Sequence, residues 1–513
     1  MSKFLKGTMI LMAAIFITKI LGFVNRMVVA RIIGEEGVGL FMMVFPTFIL
    51  VVTITQFGLP VAISRSIAAA DASGDTAKMK RILAVSLAIT GGLSLIFTPC
   101  LIWMAPYLSK VLFTDPRTYY PLVAIAPVIP VIAISSVLRG YFQGRQNMKP
   151  AAVSQIIEQL VRIFLIYILA KKFLPYGVEY AAAGAMAATA LGELASLVYL
   201  LMMFKISKTF RIRRRFFTSI HSGKETFREL MEVALPSTGS RMVGSLSWFF
   251  EPIVVTQSLA IAGITAAVAT KEYGILTGYA LPVMFLPSFV TLALSTSLVP
   301  AISEAYTKKH YQTLEHRVQE ALRFCLVTGG LAVLLLYLYA EPLMYFMYNS
   351  ENGARFIQLM APFFLFYYYQ GPLQAVLQAL NLANAAMINS LIGAAVKLAV
   401  IFAFASQQQF GIYGAALGMA CGILLVTLLH LAVVFKTISM TVDMRQYGKF
   451  LVVLFLTLMG SHWINQSFLS GQHSAQSLVA GLGITAIIYS VLSILFGLIT
   501  KSDLTRLPFV KVK

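Results

Sequence analysis

Charge is what this sequence has least of. Only 12% of its 513 residues are Asp, Glu, Lys or Arg, about half the share a soluble domain carries. With 58% hydrophobic residues there is not enough polar surface to face water. Acids are scarcer still, 20 against 40 Lys and Arg. That scarcity leaves no acidic metal-binding cluster of the kind a membrane glycosyltransferase needs. Cysteine occurs three times, at Cys100, Cys325 and Cys421, each in an apolar run with no paired spacing. A disulfide framework and a thiolate metal site are both excluded. The six histidines show no ligand spacing, and HExxH, GxxxxGK[ST] and GxSxG are missing,. No enzyme, metal or cofactor is expected. Long two-residue alternation is absent too, which excludes a lipid-embedded barrel.

What is present is a succession of apolar runs of about 20 residues, each long enough to cross a bilayer core of roughly 30 Å as a helix. The expected spans are 8–33, 40–64, 82–106, 119–141, 152–170, 180–204, 230–258, 275–299, 322–346, 356–380, 386–405, 411–435, 450–467 and 476–499. The fold class is therefore all-α integral membrane, with about 14 transmembrane helices. The first run, Thr8 to Ile33, contains Lys19 and Arg26 and has no small-residue cleavage site, so it reads as a retained helix,.

The net charge of +20 does not point to nucleic acid, because the basic residues lie in short segments between apolar runs. With the N-terminus in the cytoplasm, 28 Lys and Arg fall inside, 7 fall outside and 5 remain within spans. The segment 139–149 contributes three of those inside. This bias fits the positive-inside rule and puts both termini of a cytoplasmic-membrane protein in the cytoplasm. The basic stretch 205–229, with Arg211, Arg213, Arg214 and Arg215, reads as a cytoplasmic linker near anionic lipid, or as a regulatory or partner-binding segment,.

An internal repeat crosses that linker. Ala62-Ile63-Ser64 answers Ala301-Ile302-Ser303, and Thr90-Gly91-Gly92 answers Thr328-Gly329-Gly330. At an offset of 235, Ala126-Pro127 matches Ala361-Pro362, Gln143 matches Gln378, and Arg162 matches Lys397. At 234, Gly177 and Gly184 match Gly411 and Gly418, while Thr18-Lys19 resembles Ser240-Arg241. The expected organisation is an N-lobe over 1–204, the linker, a C-lobe over 230–437, and two extra helices with a basic tail over 438–513. Six helices per lobe make the two lobes parallel, pseudo-symmetric repeats, an architecture that places substrate near the midplane.

Charges inside the hydrocarbon zone carry the chemistry. Lys19, Arg26, Arg162, Arg241 and Lys397 lie in spans, with Glu158, Glu193 and Glu251. Five cations facing lipid would oppose insertion by on the order of 12–17 kcal/mol, so they should face the interior or a wet cavity. Glu158 and Arg162 are four apart and can pair on one helix face,. Lys19 with Arg241, and Arg162 with Lys397, are pseudo-symmetric pairs suited to lining a shared cavity, whereas Trp248 falls opposite Arg26. Arg31 and Arg65 lie near helix ends and can also snorkel,. Glu158, Glu193 and Glu251 are candidates for charge balance or for coupling to Na+ or H+, with the membrane potential as a further driving force. An excess of fixed positive charge suits an anionic substrate such as a lipid pyrophosphate, because guanidinium matches phosphate oxygens. A cation-coupled multidrug exporter would want the opposite sign. A non-transporting scaffold for cell-wall synthesis enzymes would instead work through the basic linker. Pro46, Pro236, Pro252, Pro282, Pro287 and Pro362 offer joints, and Gly414, Gly418 and Gly422 offer a close-packing face,.

The stretch from Thr18 to Arg26, followed by Ala30-Arg31-Ile32-Ile33-Gly34, resembles the opening helix of the lipid II flippase and polysaccharide exporter group of the multidrug/oligosaccharidyl-lipid/polysaccharide superfamily. The segments GEEGVGLFMM, QFGLPVAISR and SSVLRGYFQGRQNM carry the same resemblance. It implies a two-lobed exporter moving an undecaprenyl-linked precursor outward, for spore-cortex peptidoglycan. The group's first-helix cationic positions fall on Lys19 and on Asn25 or Arg26. The two extra helices are implied to form a groove for the lipid tail.

Overall fold

The structure is a computed structural model that describes residues 3–207, 223–438, 440, 444–464 and 475–499. The four clustered arginines Arg211, Arg213, Arg214 and Arg215, and the basic C-terminal tail, lie outside the described residues. Among the described residues the chain is built of helices joined by short turns, with no strand. The helices are α1 (Lys3–Gln56), α2 (Leu59–Ala72), α3 (Thr76–Tyr107), α4 (Tyr119–Ile125), α5 (Val128–Gly144), α6 (Met148–Phe173), α7 (Val178–Ile206), α8 (Lys224–Ile261) and α9 (Ala266–Gly274). They continue with α10 (Leu281–Phe285), α11 (Ser288–Thr307), α12 (Tyr311–Leu338), α13 (Ala340–Tyr348), α14 (Ala354–Ala379), α15 (Ala383–Ala405), α16 (Ile412–Ile438), α17 (Met444–Ile464) and α18 (Ala475–Leu495).

Among the described residues, eleven helical stretches are long and apolar enough to cross a membrane, which makes this a multi-pass membrane protein. Each of the fourteen expected crossings has a helical counterpart, but three do not register separately. The first two fuse into Phe16–Ala72, because α1 continues past a kink instead of ending. The kink is at Gly34, with φ 70° and ψ −176°, a conformation essentially confined to glycine,. Helices α8 and α14 are long enough, but charged residues in one and tyrosines and glutamines in the other dilute their apolar character.

Local chemistry explains several of the boundaries. Asp75 caps α3 by accepting from the Lys78 backbone N–H at 2.7 Å,. Pro60 sits in the first turn of α2, where its missing N–H costs nothing,. Lys171 and Lys172 lie in the last turn of α6, where cations favour the helix dipole,.

The chain forms two compact units, Met1–Gly278 and Tyr279–Lys513. These do not coincide with the repeat halves, since α8 and α9 belong with the first unit. The first unit has a core of Leu59, Ile63, Ile67, Ile82, Leu138 and Tyr141, completed by Leu230 and Ala234 of α8. In the second, α17 and α18 share a core with α12 through Phe450, Val453, Tyr489 and Val318. Tyr489 donates to the Val327 carbonyl at 2.9 Å, and Tyr339, Thr485 and Ser461 form a buried hydroxyl chain with 3.0 Å steps.

The repeat read from the sequence recurs in the helix boundaries. Helices α6 and α15 start 235 residues apart, at Met148 and Ala383. Helices α7 and α16 start 234 apart, at Val178 and Ile412.

Candidate functional site

In the first unit, three helices bring four charges together. Small residues let α6 and α7 come close, and at Gly192 an added methyl would lie 2.9 Å from the Glu158 carbonyl and 3.1 Å from the Arg162 Cβ,. That approach sets Glu193 beside Glu158. Arg139 reaches in from α5. Its Nη2 lies 2.9 Å from Glu193 Oε1, 3.3 Å from Glu158 Oε2 and 2.9 Å from Ser196 Oγ. Arg162 pairs with the other oxygen of Glu158, and Ser135 donates to Glu193. Both acids are buried, and both arginine side chains are more than four-fifths buried. Two positive and two negative charges close on one another, and such a set survives burial only because it is paired and hydrogen-bonded.

The structure thus gathers Glu158, Arg162 and Glu193 into one cluster and supplies its centre, Arg139. Sequence reasoning missed Arg139. At the end of a span it counts as a cytoplasmic anchor, although Ser135 four residues earlier marks a polar stripe on the same face.

The second unit holds an uncharged counterpart. Gln370 donates to the Ile423 carbonyl at 2.9 Å and to Thr427 Oγ1 at 3.2 Å. Asn389 donates to His430 Nδ1 at 3.2 Å, with both residues buried. At the repeat offsets, Ser135 corresponds to Gln370, Glu158 to Gly393, Glu193 to Thr427 and Ser196 to His430. Lys397, at the position of Arg162, is half-buried, and an added methyl on Gly422 of α16 would lie 2.8 Å from its Cβ. The glycine face expected on α16 is found: Gly414 and Gly418 meet backbone atoms of Ala405 and Ile401.

The remaining sequence-derived residues lie on other helices, α1, α2, α8 and α15. Asn25 is 8% exposed, and its carboxamide oxygen has no hydrogen-bond donor in the structure. Arg26 beside it is half-buried, while Lys19, Arg65 and Arg241 are exposed. Glu251 is buried and close enough to Tyr273 to act on it electrostatically.

A further polar network joins the kink of α1, the connection between α3 and α4, and α9, on the side that the charge pattern assigns to the outside. Arg117 forms ion pairs with Glu36 at 2.7 Å and with Asp115 at 2.8 Å. Asp115 also accepts from Thr270 at 2.7 Å, and Lys271 pairs with Glu35 at 3.3 Å. Burial alone would raise the Asp115 carboxyl, but the hydrogen bonds from Arg117 and Thr270 outweigh it and hold the group below its ordinary value,.

Comparison with known proteins places this architecture. Residues 4–306 match the polysaccharide biosynthesis protein family, and residues 276–404 match the MatE family. The chain is 56% identical over 507 residues to stage V sporulation protein B of Bacillus subtilis (strain 168), covering 99% of this chain and 98% of that protein. It is 26% identical to the lipid II flippase MurJ of the same organism, over 82% of this chain and 80% of that one. A solved structure of lipid II flippase MurJ in an inward closed conformation superposes with a TM-score of 0.73 at 15% identity, over 95% of this chain and 98% of that chain. The chain belongs to the polysaccharide biosynthesis protein family.

Proposed function

We propose that this protein is a flippase that carries an undecaprenyl-pyrophosphate-linked saccharide outward across the cytoplasmic membrane. The saccharide is a lipid II-like peptidoglycan precursor for the spore cortex. The observation that carries this reading is the 56% identity to a sporulation protein along nearly the whole of both chains. The flippase fold match and the surplus of in-span cations support it.

The mechanism is alternating access of the two sequence repeats, with both termini in the cytoplasm. Lys19, Arg26, Arg65, Arg241 and Lys397 supply positive charge for the pyrophosphate, and the forked guanidinium of Arg26 matches its oxygens. Asn25 offers a carboxamide oxygen that lacks a donor, suited to a sugar hydroxyl,. An inside-negative potential favours outward movement of an anion by about 2.3 kcal/mol per charge per 100 mV. Helices α17 and α18 lie against α12, where the lipid tail would run.

The match to the MatE family raises the alternative of a multidrug exporter. It would need acids that face a cationic drug, yet Glu158 and Glu193 are engaged by Arg139 and Arg162.

The test is head-group translocation of a defined undecaprenyl-linked substrate in proteoliposomes, with and without a membrane potential. Arg26→Ala and Lys397→Ala are expected to lower the rate at least about tenfold, since a charge-assisted contact contributes about 1.5–3 kcal/mol. Unchanged rates in correctly inserted variants would refute the cationic path.

A further inference from the structure

We propose that Arg139 is a tethered counter-cation that keeps the Glu158–Glu193 carboxylate pair closed to Na+, so that the first half of this chain does not couple transport through a sodium ion at those acids. The inference rests on the flippase reading for its consequence, but not for its geometry.

Taken without Arg139, the site has an all-oxygen lining. Two buried carboxylates and the hydroxyls of Ser135 and Ser196 converge from α5, α6 and α7. Such oxygen groups suit a hard cation. Arg139 Nη2 occupies the point where they meet, within 3.3 Å of Glu158, Glu193 and Ser196. That nitrogen carries two hydrogens and faces three acceptors, so positive charge as well as hydrogen bonding holds the group together. Arg162 takes the remaining charge of the pair through Glu158. With two guanidiniums against two carboxylates the cluster is already neutral, and a sodium ion entering it would leave an uncompensated positive charge in a buried site.

Permanence separates this arrangement from ion coupling. A bound Na+ can leave on one side of the membrane and be replaced on the other. A guanidinium is covalently tethered and stays protonated at every physiological pH. The two guanidiniums therefore keep the same charge at each stage of a transport cycle, and they leave no opening at these acids for a sodium ion that comes and goes. The second half offers no substitute at the corresponding positions, which are Gly393 and Thr427. Coupling energy must enter elsewhere, and the substrate's own negative charge in the membrane potential is one such source.

The experiment measures radiosodium binding to the full chain in detergent, beside flipping in proteoliposomes. Wild type and Glu193→Gln are expected to bind equal amounts of Na+. Arg139→Ala is expected to gain a saturable Na+ site that Arg139→Ala/Glu193→Gln loses and that Arg139→Lys does not show. A drop in Na+ binding from wild type to Glu193→Gln overturns the proposal. So does a folded Arg139→Ala that binds no more Na+ than wild type. Should Arg139→Ala fail to insert, the comparison of wild type with Glu193→Gln decides alone. Absence of flipping by wild type would sink the flippase reading and leave the Na+ result standing.

Discussion

The α5–α7 region and the α14–α16 region occupy corresponding places in the internal repeat and solve the same problem with different chemistry. Both bury polar groups where their helices meet, at positions that correspond by an offset of 235 or 234 residues. The first uses four charges, Arg139, Glu158, Arg162 and Glu193. The second uses neutral groups, Gln370, Thr427, Asn389 and His430, and keeps one cation, Lys397, at the position of Arg162. Helix positions can thus be conserved within a molecule while the interactions at them are rewritten. A charged cluster is rigid because breaking any pair strands a buried charge, whereas an amide-hydroxyl set loses only one hydrogen bond at a time. The first region is therefore expected to be the stiffer of the two.

Glu193→Ala should break the comparison most strongly. It leaves Arg139 without its 2.9 Å carboxylate and is expected to cost about 3–5 kcal/mol,, seen as a large fall in the thermal midpoint in detergent. Asn389→Ala, in the neutral region, strands the His430 ring nitrogen and should cost about 1–3 kcal/mol,. An equal or larger fall than for Glu193→Ala would reverse the ranking of the two regions.

Asp115→Asn tests charge at the edge of the membrane and is expected to cost about 1.5–3 kcal/mol at neutral pH. The sign with pH follows from the lowered carboxyl. Its stabilisation is complete above the ordinary value of 3.8 and is lost as pH falls through the lower folded value,. The gap in midpoint between wild type and Asp115→Asn should therefore persist through mildly acidic pH and close only below 3.8. A gap that closes near neutrality would refute the assignment. The smallest effect should come from Lys78→Ala, since the Lys78–Glu229 pair is exposed, 33% and 46% by side chain. Exposed pairs contribute about 0–1 kcal/mol, and a larger loss would show that depth does not set the scale.

Much of this was readable in advance, for physical reasons specific to each element. Apolar runs must be helices in lipid, and the expected spans fall on helices, eleven stretches of which are long and apolar enough to cross among the described residues,. The kink at Gly34 falls in the gap between the first two expected spans, where the Gly-rich segment begins. The Glu158–Arg162 pair was visible because residues four apart share a helix face,. Arg139 was not, because its partners lie 19, 54 and 57 residues away on other helices. Nor was the Asp115–Thr270 contact, across 155 residues. The unit boundary at Gly278 was equally hidden, since it depends on what α8 and α9 pack against and not on where the repeat restarts.

The sequence by itself determined that this protein spans a membrane many times as helices, that it repeats, and that cations outnumber acids inside the spans. Those properties follow from the cost of exposing backbone and charge to lipid, which each residue meets locally. Only the tertiary structure decided which acid each cation would answer. Pairing depends on helices brought together by small residues such as Gly192, and the fold alone sets those distances.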